Sequence, residues 1–161
     1  SMSAEGRYDT AHMNYPYGIH CAVVAIDRDT GLVTVERYLV AYDIGVAINP
    51  MLVGGQIQGG LAQGIGGALS EEFLYDANGQ PLSSTFVDYL LPGATEVPAA
   101  QIVLCEDAPS PLNPLGVKGA GEAGINAVGA AIASAVDDAI GRPGAVTQLP
   151  LTPRRVLTLL S

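Results

Sequence analysis

The chain has 161 residues, of which 48% are hydrophobic and 14% are charged, and its formal net charge is −9 at pH 7. This length and composition can supply the core of one domain, and the negative charge argues against nucleic acid or an anionic membrane as a partner. The two cysteines are too few for an iron–sulfur cluster, which needs four protein ligands, or for an unaided structural zinc site.

The N-terminal residues carry no recognisable signal peptide, and no apolar run is long enough to predict a membrane span. We therefore expect a cytoplasmic location, with Cys21 and Cys105 as buried free thiols in apolar runs. Ser1 before Met2 resembles a scar of tag removal. The predicted organisation is an irregular arm over residues 1–18, which includes that scar, followed by one domain over residues 19–161.

The first predicted elements are a hairpin and a long helix. Residues 19–26 and 32–42 are rich in apolar and β-branched side chains and flank a turn at residues 27–31, which predicts paired strands. Asn49 followed by Pro50 is typical of a helix N-cap and first helical position, so a helix is predicted from Pro50 to about Phe73.

That helix is unusually rich in glycine, and each interior glycine costs about 1 kcal/mol relative to alanine. Such a helix needs tertiary support, through a bare face against another backbone or against a ligand. Gln56 and Gln63 share one face, while Gln58 points elsewhere. Their amides could bind a polar heterocycle, or they could merely satisfy neighbouring backbone groups.

The second half of the chain alternates short strands with two helices. Strands are predicted at residues 73–75 and 84–91 around an Asn78-Gly79 turn, and at residues 101–106. Apolar spacing predicts a helix over residues 123–140, buried nearly all round, and a short helix over residues 154–160. The predicted fold class is α+β, with long glycine-rich and alanine-rich helices packed on short, mostly antiparallel strands.

A glycine-rich loop at residues 116–124 precedes the second long helix. Gly119, Gly121 and Gly124 allow positive φ and close approach of a ligand, and the start of the helix adds unpaired N–H groups. Glu122 is predicted at the junction of loop and helix. It could act as a general base beside a bound cofactor, or it could be only a favourable charge in the first helical turn.

The same loop contains Gly-x-Gly-x-x-Gly, which is also found in dinucleotide-binding proteins. That motif requires a strand directly before it, but Pro111 and Pro114 interrupt the preceding residues. Glu122 would also repel a pyrophosphate on the same helix end. A dinucleotide-binding protein is therefore the disfavoured alternative.

Two runs carry a family resemblance: residues 55–66, Gly-Gln-Ile-Gln-Gly-Gly-Leu-Ala-Gln-Gly-Ile-Gly, and residues 116–124, Gly-Val-Lys-Gly-Ala-Gly-Glu-Ala-Gly. Residues 43–50, 113–116 and 150–153 add further motifs in the same order. Together they resemble the molybdenum hydroxylases, which include xanthine dehydrogenase, aldehyde oxidase and aerobic carbon monoxide dehydrogenase. The similar region is the C-terminal part of the large subunit, which binds the molybdenum cofactor.

The resemblance implies oxidative hydroxylation of an aldehyde, an N-heterocycle or a related small substrate, with water as the oxygen source. It implies Glu122 as the catalytic base and no metal ligand from this chain. It also implies contacts to molybdenum–molybdopterin cytosine dinucleotide from Gln63 and from the loop residues Lys118, Gly119, Ala120 and Gly121. The absent segments of the large subunit would complete this site, so the fragment alone is expected to be inactive.

The family resemblance also implies partners. Iron–sulfur subunits with [2Fe–2S] clusters and FAD subunits would join the rest of the large subunit, as a dimer of heterotrimers. A non-catalytic binding or scaffold module that retains the fold is the alternative, which the retention of Glu122 disfavours.

Overall fold

The computed structural model describes residues 2–9 and 12–161, so Ser1, Thr10 and Ala11 of the predicted arm lie outside the described residues. The regular structure of the described residues consists of β1 (Tyr17–Ile26), β2 (Val33–Asp43), α1 (Pro50–Leu69), β3 (Gln101–Cys105), α2 (Val128–Ile140) and α3 (Pro153–Leu160). The predicted α+β class is confirmed. In the described ranges, no helix combines the length and the apolar character that crossing a membrane requires.

The predicted hairpin is confirmed, and a third strand extends it. β1 and β2 pair antiparallel across a turn in which the Asp27 carboxylate accepts the N–H groups of Asp29 and Thr30. β3 then pairs parallel with β2, so the small sheet is mixed, in the order β1-β2-β3. The sheet thereby places the end of β2 beside the segments that lead into the glycine-rich loop.

α1 begins where the sequence predicts. The Asn49 side chain accepts the N–H of Leu52 at 3.2 Å, and Pro50 is the first helical residue. α1 ends at Leu69, about one turn earlier than expected. Its buried face joins α2, α3 and the inner face of β2 in one core, which includes Val35, Tyr38, Val40, Ile57, Leu61, Ile65, Val128, Ile132, Val136 and Val156.

Glycines on α1 allow close contact with the segment that starts α2. A Cβ at Gly64 would lie 2.5 Å from the Cβ of Val128, and a Cβ at Gly60 would lie 3.0 Å from the backbone of Gly124. At Gly124 itself, a Cβ would overlap the carbonyl oxygen of Ile57. The expected bare face of α1 against another backbone is therefore confirmed where Gly60 and Ile57 meet Gly124, whereas Gly64 packs against a side chain.

The strands predicted at residues 73–75 and 84–91 are wrong. Tyr75 and Pro81 form a single antiparallel bridge across the Asn78-Gly79 turn. Residues 84–91 instead form a turn, because the Thr85 carbonyl accepts the N–H groups of Asp88 and Tyr89. Local hydrogen bonds thus satisfy backbone groups that would otherwise need a partner strand.

α2 is shorter and less buried than predicted. It begins at Val128, since residues 121–127 form turns in which the Glu122 carbonyl accepts the N–H groups of Ile125 and Asn126. Its outer positions, among them Ser134 and Asp138, are exposed because α1 and β1 pack on one side only.

The cysteines also differ from expectation. Cys21 is exposed and Cys105 is partly exposed, so the prediction of buried thiols is wrong. Side chains alternate across a strand, and Cys21 falls on the face of β1 opposite the helices.

Candidate cofactor-binding cleft

An open cleft of about 570 Å³ separates the N-terminal segment from the glycine-rich loop. Residues 12–16 form one wall, and the other wall includes Lys118, Gly119, Gly121 and Glu122. Ala120, between them, packs against the core. The cleft thus brings together most of the residues that the sequence assigns to the site, but Gln63 is not among those that line it.

The start of the loop is anchored by its own side chains and backbone. The Asn113 amide donates to the carbonyl of Val117 at 2.8 Å and accepts the N–H of the same residue at 3.1 Å. Gly116 has a φ of +69°, and its carbonyl accepts the N–H groups of Val46 and Ser110. This geometry fixes the direction in which the chain enters the cleft wall.

Lys118 is held by a buried ion pair. Its ammonium lies 3.1 Å from the Asp43 carboxylate and 4.5 Å from the centre of the Tyr17 ring, and the Asp43 side chain is only 3% exposed. Burial alone would raise the pKa of Asp43, but the N–H of Gly45, the Lys118 ammonium and the N–H of Ala108 together lower it. Lys118 therefore joins the loop to the end of β2, with its side chain committed to Asp43.

The backbone donors of the loop divide into occupied and available groups. The N–H of Lys118 donates to Ile44 O at 2.8 Å, and that of Gly119 donates to Asn14 O at 3.0 Å. Within residues 2–9 and 12–161, the N–H groups of Ala120 and Gly121 have no hydrogen-bond acceptor. The predicted backbone contacts to a cofactor therefore narrow to these two N–H groups.

Gly121 shows that the cleft has room for a group from outside the chain. A Cβ at Gly121 would meet no described atom within 4 Å, so packing within the chain does not require glycine there. Gly119, Gly121 and Gly124 do not use the positive φ that glycine allows, and Gly116 is the loop glycine that adopts it. A bare backbone with free donors beside an open cleft fits a bulky, hydrogen-bond-accepting cofactor.

Glu122 lies at the wall of this cleft with its carboxylate unpaired. Its side chain is exposed, and no hydrogen bond to it occurs among the described residues. The prediction that Glu122 sits at the start of a helix is wrong, because α2 begins six residues later at Val128. The helix dipole therefore does not explain this glutamate, which leaves it available for chemistry at the cleft.

The residue after Glu122 is fixed by a histidine. His20 Nε2 lies 2.9 Å from the carbonyl oxygen of Ala123, and His20 Nδ1 lies 3.0 Å from the hydroxyl of Tyr38. Gly124 then packs against Ile57 of α1. The backbone on the C-terminal side of Glu122 is thus held from both β1 and α1.

The three glutamines of α1 differ in environment. Gln58 donates to the carbonyl of Pro98 at 3.0 Å and accepts the N–H of Ala100 at 2.9 Å, so it satisfies backbone groups that lead into β3. Gln56 and Gln63 are both exposed on α1. Within this chain, Gln63 is not brought to the cleft that contains Glu122.

Asp43 and His20 support the site but were not predicted to do so. Asp43 and Lys118 are 75 residues apart, and His20 and Ala123 are 103 apart. Neither pairing has a local sequence signal, because both contacts depend on how β1 and β2 meet the loop. The Asn113 contacts lie within a motif quoted above, although their role follows only from the structure.

The loop also differs from a dinucleotide-binding loop. In the described residues no strand leads directly into it, and the next helix starts only at Val128. The described loop instead lines an open cleft with Gly119, Gly121 and Glu122.

Residues 1–98 match the family model described as molybdopterin cofactor-binding domain. The chain belongs to this family and is a fragment of the large subunit of the molybdenum hydroxylases, a family of molybdenum-dependent oxidoreductases.

Known relatives span several activities. The 6-hydroxypseudooxynicotine dehydrogenase complex subunit gamma of Paenarthrobacter nicotinovorans is 48% identical over 98% of this chain and 20% of the relative. The structure of carbon monoxide dehydrogenase from Oligotropha carboxidovorans has a TM-score of 0.88 at 35% identity, over 94% of this chain and 19% of that one. The structure of quinoline 2-oxidoreductase from Pseudomonas putida 86 has a TM-score of 0.83 at 41% identity, over 89% of this chain and 18% of that one. The chain therefore spans about a fifth of the length of the relatives that it matches.

Proposed function

We propose that this chain supplies the general base and part of the cofactor cradle of a molybdenum hydroxylase that oxidises a small substrate with water as the oxygen source. The observation that carries the proposal is the carboxylate of Glu122, which no described residue pairs, in an open cleft that Gly121 also lines. The N–H groups of Ala120 and Gly121, which have no acceptor among the described residues, lie next to it in the chain. A carboxylate held by fixed backbone but free of hydrogen bonds is suited to accept a proton from a reacting group placed within about 3 Å.

Molybdenum bound to molybdopterin cytosine dinucleotide supplies the two-electron oxidation chemistry when it is present. The N–H groups of Ala120 and Gly121 would donate hydrogen bonds to this cofactor, and Gly121 leaves room for its approach. Lys118 acts through its pair with Asp43, which holds the loop in place. Gln63 contacts the pterin from the exposed face of α1, with the remaining contacts coming from segments of the large subunit outside this chain.

The substrate in this proposal is an N-heterocycle or an aldehyde. Two relatives favour the heterocycle, because their names refer to a 6-hydroxypseudooxynicotine and to quinoline. Another relative is a carbon monoxide dehydrogenase, so relatives of this region are named for different substrates. In this proposal the residues that select the substrate therefore belong to other segments of the large subunit.

The partners in this proposal are the rest of the large subunit and subunits that carry [2Fe–2S] clusters and FAD, arranged as a dimer of heterotrimers in the cytoplasm. The cysteine count supports this division of labour, since two cysteines cannot hold an iron–sulfur cluster. Residues 19–161 act as one domain, preceded by the N-terminal arm whose Asn14 closes onto Gly119.

The test compares Glu122→Gln with the wild type in the full-length large subunit, expressed with its partner subunits. Molybdenum content is measured alongside oxidation of a panel of N-heterocycles, aldehydes and purines. Glu36→Gln is the matched control, because Glu36 is also exposed but lies on β2 away from the cleft. We expect Glu122→Gln to retain its molybdenum and lose at least about 1,000-fold in kcat, because it keeps the shape and removes the base.

Unchanged activity in Glu122→Gln would contradict the catalytic assignment. Loss of both molybdenum and activity would assign Glu122 to the structure of the cofactor pocket rather than to proton transfer. Loss of activity in the Glu36→Gln control would show that the assay reports assembly and not the cleft.

A further inference from the structure

The histidine beneath the loop has a defined proton arrangement. A carbonyl oxygen can only accept a hydrogen bond, so His20 Nε2 carries the hydrogen that is donated to Ala123 O. His20 Nδ1 is then the acceptor, and the Tyr38 hydroxyl donates to it at 3.0 Å. Tyr38 thereby selects the ring tautomer that can reach the loop.

The surroundings keep both groups in these states. Burial raises the pKa of Tyr38, so its hydroxyl retains the proton that it donates. Burial lowers the pKa of His20, which outweighs the opposing effect of the Ala123 carbonyl and favours the neutral ring. The ring also meets Tyr38 and Tyr42 edge-on, with centroid distances of 5.7 and 6.0 Å, so its orientation is fixed by packing as well.

The target of this donor lies directly after the proposed base. Ala123 is fully buried, whereas Glu122 is exposed to the cleft. Among the side chains in residues 2–9 and 12–161, only His20 forms a hydrogen bond to the backbone of residues 119–127. On the opposite side, Gly124 packs against the carbonyl of Ile57. Besides the turn hydrogen bonds of the Glu122 carbonyl, the backbone on the C-terminal side of Glu122 is therefore positioned by one side-chain hydrogen bond and one packing contact.

We propose that His20, with its tautomer set by Tyr38, is a positioning residue that aligns the Glu122 carboxylate in the cleft through its hydrogen bond to the Ala123 carbonyl. This proposal rests on the proposed role of Glu122 as the base. His20 does not face the cleft and takes no part in proton transfer. Its effect belongs on the catalytic step, because a shift of about 1 Å in a reacting group can reduce the rate roughly 100-fold.

The test uses His20→Leu, His20→Gln and Tyr38→Phe in the full-length large subunit, assembled with its partner subunits. Leucine removes both hydrogen bonds, while the glutamine amide can place a donor near the position of Nε2. Molybdenum content, kcat and KM are measured for each variant, together with hydrogen–deuterium exchange of the peptide that covers residues 117–127. The exchange measurement reports the order of the loop independently of turnover.

We expect His20→Leu to lower kcat by about 10- to 100-fold, with unchanged KM and molybdenum content and faster exchange in residues 117–127. His20→Gln should recover kcat to within about fivefold of the wild type and restore slow exchange, because the donor to Ala123 is replaced. Tyr38→Phe should fall between them, since the ring keeps a donor but loses the partner that fixes its tautomer.

Wild-type kcat in His20→Leu, or an equal loss in the leucine and glutamine variants, would overturn the proposal. If His20→Leu does not assemble, Tyr38→Phe decides, because wild-type kcat and exchange in that variant would also overturn it. Glu122→Gln is assayed in parallel. Full activity in Glu122→Gln would refute the proposed function, whereas an inactive Glu122→Gln beside a normal His20→Leu would refute only the role of His20.

Discussion

Glycines on the two sides of Glu122 have opposite surroundings. At Gly124 a Cβ would overlap the backbone of Ile57, and the nearby Gly64 is filled in the same way by Val128. At Gly121 a Cβ would meet no described atom within 4 Å. Packing within the described chain accounts for Gly124 and Gly64 but not for Gly121, which leaves space there for a group from outside the chain.

The same difference runs along α1. Gly60 and Gly64 face the segment that starts α2. Four other glycines of the helix have no described atom within 4 Å of the position of a Cβ, namely Gly54, Gly55, Gly59 and Gly67. Glycine in a helix interior is destabilising, so these open positions weaken the isolated helix without an internal benefit. A glycine-rich sequence thus predicts that another group packs closely against the helix. The structure shows at which glycines that group belongs to the chain itself.

The largest loss of stability is expected at Gly124, which already packs against the carbonyl of Ile57. Gly124→Val places side-chain atoms on the Ile57 carbonyl, which cannot move without distorting α1. We expect the free energy of unfolding of the purified chain to fall by about 3 kcal/mol or more, measured by urea denaturation. Gly121→Ala is the matched control and should change it by less than about 0.5 kcal/mol.

The effect of Gly121→Ala should appear instead in the assembled enzyme, when molybdenum content is measured. Gly121→Ala places a methyl group in the open cleft and should lower cofactor occupancy although the chain is stable. Equal unfolding free energies for Gly124→Val and Gly121→Ala would contradict the difference between a packed Gly124 and an open Gly121.

The next effect concerns the ion pair at the base of the loop. Lys118→Met leaves the buried Asp43 carboxylate with two backbone N–H partners and no cation. We expect a loss of about 3 kcal/mol in the free energy of unfolding, because an unpaired buried charge is costly. The double variant Asp43→Asn with Lys118→Met should recover part of this loss, and a double-mutant cycle measures the coupling. Additive effects would show that the pair does not anchor the loop.

Local sequence signals predict the elements well where the backbone is determined locally. Asn49 and Pro50 give the start of α1, and Gly141, with a φ of +68°, gives the end of α2. The start of α2 was predicted too early because Ile125 continues the apolar spacing of the helix, whereas residues 121–127 are held as turns by contacts with β1 and α1.

The candidate site was predictable in composition but not in geometry. The motif at residues 116–124 identifies Glu122 and its glycines, and the structure places Glu122 with Gly119 and Gly121 at one cleft. The contacts of Lys118 with Asp43 and of His20 with Ala123 depend on chain topology, so no spacing rule predicts them. The prediction of strands at residues 73–75 and 84–91 was wrong for a related reason, since apolar alternation does not show whether a partner strand exists.

A smaller effect is expected from alanine substitutions along α1, where Gly59 and Gly64 should change the free energy of unfolding with opposite signs. Gly59→Ala should raise the free energy of unfolding by about 0.5–1 kcal/mol, because alanine favours the helix and the position is open. Gly64→Ala should lower it by about 1–3 kcal/mol, because the new methyl group meets Val128. Both are measured by urea denaturation of the purified chain. Stabilisation by both substitutions would contradict the close contact at Gly64.

The smallest effect concerns how the free energy of unfolding depends on pH through His20, which bonds to the carbonyl of Ala123. Because burial lowers the pKa of His20 in the folded chain, the unfolded chain binds a proton more readily below pH about 6.5. The free energy of unfolding should therefore fall as the pH decreases from about 6.5 towards the lowered pKa, and should be independent of His20 above that range. His20→Gln should remove this part of the slope while keeping a donor to Ala123. Urea denaturation of both chains between pH 5 and pH 8 measures the difference, and parallel curves would show that His20 is not kept neutral by its position under the loop.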